Sequence, residues 1–496
     1  MTKLTAIIML ILILCGVSLQ GQQTRNWYNQ GDWVTYTNGR YVTAIARGFN
    51  TVYFGTTEGI LRYDIIRDQW LDPMTISNGL PENKIRRMAV DRLTDDIWVE
   101  TPNYTAYYNP TFEIWQIGVA FPANKVSPPG PSPSSFPQLF VNKGYNYFTG
   151  GTLVGRDLIN YQITVTMQDE DGTVWVGIWG LGPGKVDLTV NSLDVMQFGP
   201  FNSDIAALTV VGENVWMLGG DMGMPGEISH FDRNADDWEY FDPHYNPNIV
   251  SDQFYVIKSD SNNLWIGTEL GLVQYDERRR RFSSFTQSDG IYGQRVTAVL
   301  PIKNNVIVGT DVGISVYDLK RDSIYVATSD NIRNRVINDL AIGGNVIYAA
   351  TDYGVYTLTI GGSAWERFEP SALVLQQVVT DIQVVDTLLY TAGDDGVVIY
   401  NLNTSDYKLY DRNTVFKNAD LRVLLVYEGF IWVGGNDGLF RLNNRTDTWY
   451  NYQPADGLAS YLVTSLSGDG HHIWIGTDRG VTRFLWDNFG RSDWKE

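Results

Sequence analysis

The chain has 496 residues, with 56 acidic against 37 basic side chains and a net charge of −19. A surface of that sign repels phosphate backbones and anionic bilayers, which argues against nucleic acid as a partner. The 48 Gly, 16 Trp, 29 Tyr and 20 Phe suit many short strands joined by tight turns.

Residues 1–22 read as a secretory signal. Lys3 supplies the positive start, and the apolar run Ala6–Leu14 is too short for a bilayer, which needs about 20 residues. Gly16, Ser18 and Gly21 offer small-residue cleavage positions. The sole cysteine, Cys15, lies in this segment. A lipid-attachment cysteine wants a small residue before it, and Leu14 stands there, so Cys15 is read as part of the signal. The chain beyond it then has no thiol for a disulfide, a nucleophile or a metal. It also has no later apolar run long enough to span a membrane.

From residue 23 onward the chain repeats one phrase, predicting a β-propeller over 23–496. VYFGTTEGILRYD at 52–64 is the first clear copy, and degenerate copies begin at 97, 174 and 215. Residues 262–276 read NNLWIGTELGLVQYD, two β-type runs joined at a turn whose Gly271 tolerates φ > 0. The residues aligned with Gly267 fall at 267, 309, 350, 392, 434 and 476, a period of about 42. Another β-type run precedes each hairpin, and an aromatic pair such as Trp449 and Tyr452 follows it. Four antiparallel strands in that length make a propeller blade. The predicted fold is therefore all-β, with about ten four-stranded repeats in one large ring or two smaller ones. The strand-like Asp32–Tyr36 is placed to complete the last blade, with a short strand at Trp494 as the alternative. Residues 117–160 break the period. The four prolines within 126–135 read as an irregular insertion, and 136–157 resembles half a blade. Met222–Glu227 lengthens one hairpin.

The hairpin, the aromatic pair and the connections GLPENKIRRMAVD (79–91), SDGIYGQRVTAV (288–299) and ADGLASYLVTSL (455–466) resemble the two-component regulator propeller repeat family. The resemblance runs from about residue 33 to 484 and is strongest over 250–484. It implies an extracytoplasmic sensor propeller that recognises oligosaccharides. In that family an immunoglobulin-like segment, a membrane helix and a histidine kinase follow the repeats. None is read in this sequence, so the resemblance implies recognition rather than signalling.

In a propeller, the turn between second and third strands shares a face with the loop leading into the next blade. Two sets of groups should therefore meet. One is the acidic turn column Glu269, Asp311, Asp352, Asp394 and Asp478. The other is the incoming loops, with Glu82, Asn83, Lys84, Tyr292, Gln294, Arg295, Arg333, Asn334, Arg335, Ser460 and Tyr461. Such a face suits sugar hydroxyls or a cationic partner, although a turn Asp also satisfies its own backbone without any ligand. Asp169–Gly172 lacks the spacing of a helix-flanked calcium loop and reads as a hairpin turn. Arg278–Arg281 reads as a solvated loop tip.

Catalytic chemistry is sparse. The four histidines show no metal-binding spacing, and no Gly-x-Ser-x-Gly elbow exists. No cofactor or metal is expected. The reading is a secreted or periplasmic, non-catalytic propeller that binds an oligosaccharide or an extracytoplasmic protein. A propeller glycoside hydrolase or polysaccharide lyase is one alternative, because a carboxylate pair about 5–9.5 Å apart leaves no sequence signature. A cell-envelope assembly component is the other.

Overall fold

The computed structural model describes residues 28–29, 31–220, 225–260, 262–369, 374–488 and 491. The signal segment 1–22, with Cys15, and Trp494 lie outside them. Among the described residues there is no helix long and apolar enough to cross a membrane.

The local unit is the hairpin seen in the sequence. Asn263–Thr268 pairs with Gly271–Asp276, and Thr268 faces Gly271. Gly271 adopts φ 143°, and a Cβ there would collide with the Phe285 carbonyl. The Thr268 hydroxyl donates to the Gly271 carbonyl at 2.9 Å and closes the turn. The same bond recurs from Thr56, Thr310, Thr351 and Thr477. It gives the repeated Thr-x-x-Gly its physical reason.

The small residue just before that threonine marks where the next blade presses. A Cβ on Gly267 would lie 2.5 Å from the Val296 carbonyl oxygen, and one on Gly309 2.6 Å from Ile337 Cγ2. Ala350 and Ala392, fully buried, take the same place in their blades. In the last blade the nearest inner-strand side chain from another blade is Ile205, 3.1 Å from the Cβ position of Gly476. The chain has come back on itself. Blades at 205–241, 254–285, 296–326, 337–367, 379–411, 421–452 and 463–485 form a closed ring of seven, with Ile205–Val211 packed beside Val463–Asp469. Hydroxyls stitch the inner strands together: Thr297 donates to the Ile337 carbonyl at 2.6 Å and Thr380 to that of Leu421 at 3.0 Å.

Trp33–Tyr36 completes the seventh blade, pairing antiparallel with Gly480–Leu485. Trp33 stacks on Phe484 with ring centres 3.8 Å apart and is 1 % exposed, so the closing strand is held by a buried aromatic. The strand-like start of the chain thus does close the last blade.

The other three sheets stand beside the ring as a stack in the order 140–195, 42–74, 87–117. Gly177 is pressed by Val42 and Gly55 by Ile85, each 2.7 Å from the Cβ position, as in the ring. Among the described residues the ten sheets therefore divide seven and three, an arrangement that differs from both of the closures the sequence suggested. Irregular chain, not another blade, links the two ends of the stack: Gly130 N donates to the Thr166 carbonyl at 3.0 Å, and Arg92 reaches Asp169 at 3.3 Å. Asp169, in the hairpin turn at 169–172, also takes Arg47 at 2.6 Å.

Residues 136–157 are not half a blade. Asn146–Phe148 and Thr152–Val154 form a hairpin on the inner edge of Asn160–Gln168, and Phe140–Val141 pairs parallel at the outer edge. The resulting seven-stranded sheet curls around Tyr147, Leu153, Ile163, Val176 and Leu193. A blade at the end of a stack has no neighbour to cover its apolar face, and the extra strands cover it here. Ring and stack share one core, in which Tyr36, Phe198, Trp238 and Trp474 meet Phe54 and Trp175.

Candidate functional site

The backbone places the turns and incoming loops on one face. The N–H of Glu269 donates to Gln253 O at 3.1 Å, Asp311 to Arg295 O at 3.2 Å, Asp352 to Val336 O at 3.3 Å and Asp394 to Val378 O at 3.0 Å. Each of these four turn acids is thus fastened beside the start of an inner strand.

Three of the five acids are spent on arginines. Glu269 accepts from Arg295 Nε at 2.8 Å and from the Tyr255 hydroxyl at 2.5 Å. Those two bonds hold its carboxyl below the usual range, that from Arg295 contributing most. Asp352 pairs with Arg335 at 3.8 Å, and Asp394 with Arg412 at 3.1 Å. Asp311 keeps one buried carboxylate oxygen without a hydrogen bond, and Asp478 is exposed. The acids therefore orient donors more than they present themselves. Tyr353, 44 % exposed, has the Arg335 guanidinium 4.6 Å and that of Arg367 4.1 Å from its ring centre.

The other predicted residues separate. Gln294, Arg333 and Tyr461 are exposed on the ring. Arg333 pairs with Asp330 at 3.3 Å. Tyr292, Asn334 and Ser460 mainly fix their own loops: Ser315 Oγ accepts from Tyr292 N at 2.8 Å, Asn334 N donates to Val312 O at 3.0 Å, and Ser460 Oγ accepts from Leu462 N at 3.3 Å. Glu82, Asn83 and Lys84 belong to the stack rather than the ring. Glu82 holds Asn103, Asn83 accepts from Ile76 N at 2.8 Å, and Lys84 is exposed. The loop tip at 278–281 reaches a neighbouring blade through Arg280, 2.5 Å from Glu239.

Two further features lay outside the sequence reading. On the inner strands of the ring, Lys258 Nζ lies 3.7 Å from Asp339, and Asp381 accepts from Leu424 N at 2.8 Å. Burial, with Asp339 adding like charge, raises the Asp381 carboxyl well above the ordinary range. The second feature is a cleft of about 550 Å³ between the curled sheet and the first ring blade, walled by Tyr145, Tyr161, Phe201, Tyr240 and Tyr245. Arg40 is fixed in it by a 2.6 Å bond from Nε to the Gly180 carbonyl, with Cζ 3.5 Å from the Phe201 ring centre. Glu227 also lines the cleft and is 7 % exposed. Burial pushes its carboxyl up to about 8, against the opposing pull of Arg40. Met222–Glu227 reads in sequence only as an insertion that lengthens a hairpin, and nothing there signals a buried acid.

No protein-family model and no curated protein matches the sequence. Solved structures do. PorZ of Porphyromonas gingivalis, described as an essential bacterial surface component of the type-IX secretion system, aligns with a TM-score of 0.50 and 14% identity over 91% of this chain and 69% of that one. The extracellular domain of BT4673 of B. thetaiotaomicron, described as a candidate hybrid two component system, aligns with a TM-score of 0.46 and 14% identity over 89% and 69%. At such identity the PorZ likeness bears on the fold alone.

Proposed function

We propose that this chain is an extracytoplasmic recognition propeller, whose ring binds an oligosaccharide or protein partner on the incoming-loop face without turning it over. The observation that carries the reading is the repeated tyrosine–acid–arginine grouping, Tyr255 with Glu269 and Arg295, then Tyr353 with Asp352 and Arg335. Arginines held in place by acids are preorganised donors for hydroxyls and carbonyls, and exposed tyrosine rings stack on sugar or peptide planes. Export by the 1–22 signal belongs to the same proposal. The turn acids committed to arginines are poor nucleophiles or general acids, which favours binding over hydrolysis or lyase chemistry.

A glycan-array screen of residues 23–496, with reducing-sugar release assayed on every hit, tests the reading. Binding without release is expected. Sugar release would replace it with a propeller glycosidase or lyase. The second reading, an envelope assembly component, draws on the PorZ likeness. Stable co-purification with envelope proteins, combined with an empty glycan array, would favour it.

A further inference from the structure

The cleft between ring and stack has an unusual balance of partners. Of its carboxylates, Asp157 takes the Tyr161 hydroxyl, Asp237 takes Lys143 at 3.3 Å, Glu239 takes Arg280 at 2.5 Å and Asp242 takes His244 Nδ1 at 3.1 Å. Glu227 alone among them, nine-tenths buried, has a carboxyl with no hydrogen-bond partner among the described residues. Of the cations, Lys143 is committed, whereas Arg40 and Arg156 pair with no acid among the described residues. Chain charges satisfied by chain charges leave two guanidinium groups and one buried acid lining the cleft without an ion pair among the described residues. On a protein of net charge −19, unpaired arginines beside several carboxylates need a reason.

We propose that this cleft is a second ligand site, distinct from the ring face, and that it takes a hexuronate-containing saccharide. The carboxylate of the uronic acid sits on the Arg40 fork, which matches a carboxylate with two parallel N–H donors and is already aimed by Gly180 and Phe201. Glu227, uncharged when buried beside that carboxylate, donates a hydrogen bond to the sugar. Tyr240 and Tyr245 spend their hydroxyls on the carbonyls of Gly199 and Asp157, at 2.8 and 3.2 Å, so that their rings are fixed as walls. Arg156 serves a second acidic unit at the mouth.

The test is calorimetric titration of the full chain with galacturonate, mannuronate and guluronate trimers, and with the methyl ester of each. At least one acid should bind, with its ester about tenfold weaker or worse. Arg40→Gln should abolish binding. Arg40→Lys, which keeps the charge and loses the fork, should weaken it about tenfold. Glu227→Gln keeps a donor and should stay within about threefold of wild type. Arg40 lies outside the incoming-loop face of the ring, so loss of binding in Arg40→Gln separates this site from the one proposed above. Circular-dichroism melts identify any variant that fails to fold. Equal affinity for acid and ester, wild-type binding by folded Arg40→Lys and Arg40→Gln, or no heat from any trimer would overturn the proposal.

Discussion

At position 309 the ring has room for a hydrogen and little else, since Ile337 of the next blade occupies the space a side chain would fill. Gly309→Val should cost about 3 kcal/mol in urea unfolding, and Gly309→Ala clearly less, because Ala already stands at 350 and 392. Glu227 makes a second prediction, about pH. Its carboxyl moves from 4.5 to about 8 on folding, so the folded chain binds more protons than the unfolded chain across that window. Its contribution to stability is present below about 4.5 and is lost as pH rises through about 8. The groups that set its charge state are Arg40, which favours ionisation, and Asp242 and Asp157, which oppose it. Glu227→Gln should therefore melt above wild type at pH 8, with the gap closing toward pH 5. A gap independent of pH would contradict this account.

Among elements, the hairpin was legible and the irregular stretch was not. The Thr-x-x-Gly turn, the four-strand unit and the closing strand at 33–36 follow from local chemistry: a positive φ, alternating burial, an aromatic that must be covered. Residues 136–157 carry the same β-type residues as a blade, yet they pair with edges of a sheet already complete in itself. No local signal distinguishes a new blade from an edge addition, because the difference lies in which partner is free. The closing strand is the element with the most to lose. Trp33→Ala removes a fully buried ring stacked on Phe484 and should cost about 4 kcal/mol. Hydrogen exchange should then rise first in Gly480–Leu485, the strand it pairs with, and uniform exchange across all blades would argue against closure by this strand. The clasp of the stack behaves similarly. Asp169→Ala strands Arg47, whose side chain is only 11% exposed, and should cost about 3 kcal/mol.

At the scale of the whole molecule, the period counted blades correctly and left their arrangement open. A repeat of about 42 residues fixes pairing within a blade, whereas the order of blades depends on contacts between distant stretches, such as Gly177 against Val42 and Gly476 against Ile205. The face shared by turns and incoming loops was legible for the same reason the blades were, since it follows from strand order. That Glu82–Lys84 would sit on the stack, away from the ring residues, was not. Nor was the cleft, whose Arg40, Tyr145 and Glu227 come from three separate regions of the chain. The central claim is that the ring uses its paired tyrosines and arginines to hold a ligand. The direct measurement is the affinity of the strongest glycan-array hit for wild type and for the double variant Arg335→Ala/Tyr353→Ala. The account predicts a loss of about 30-fold or more with the melting temperature nearly unchanged, as expected for an exposed tyrosine and a half-buried arginine whose ion pair is 3.8 Å long. Wild-type affinity in the folded double variant would contradict it.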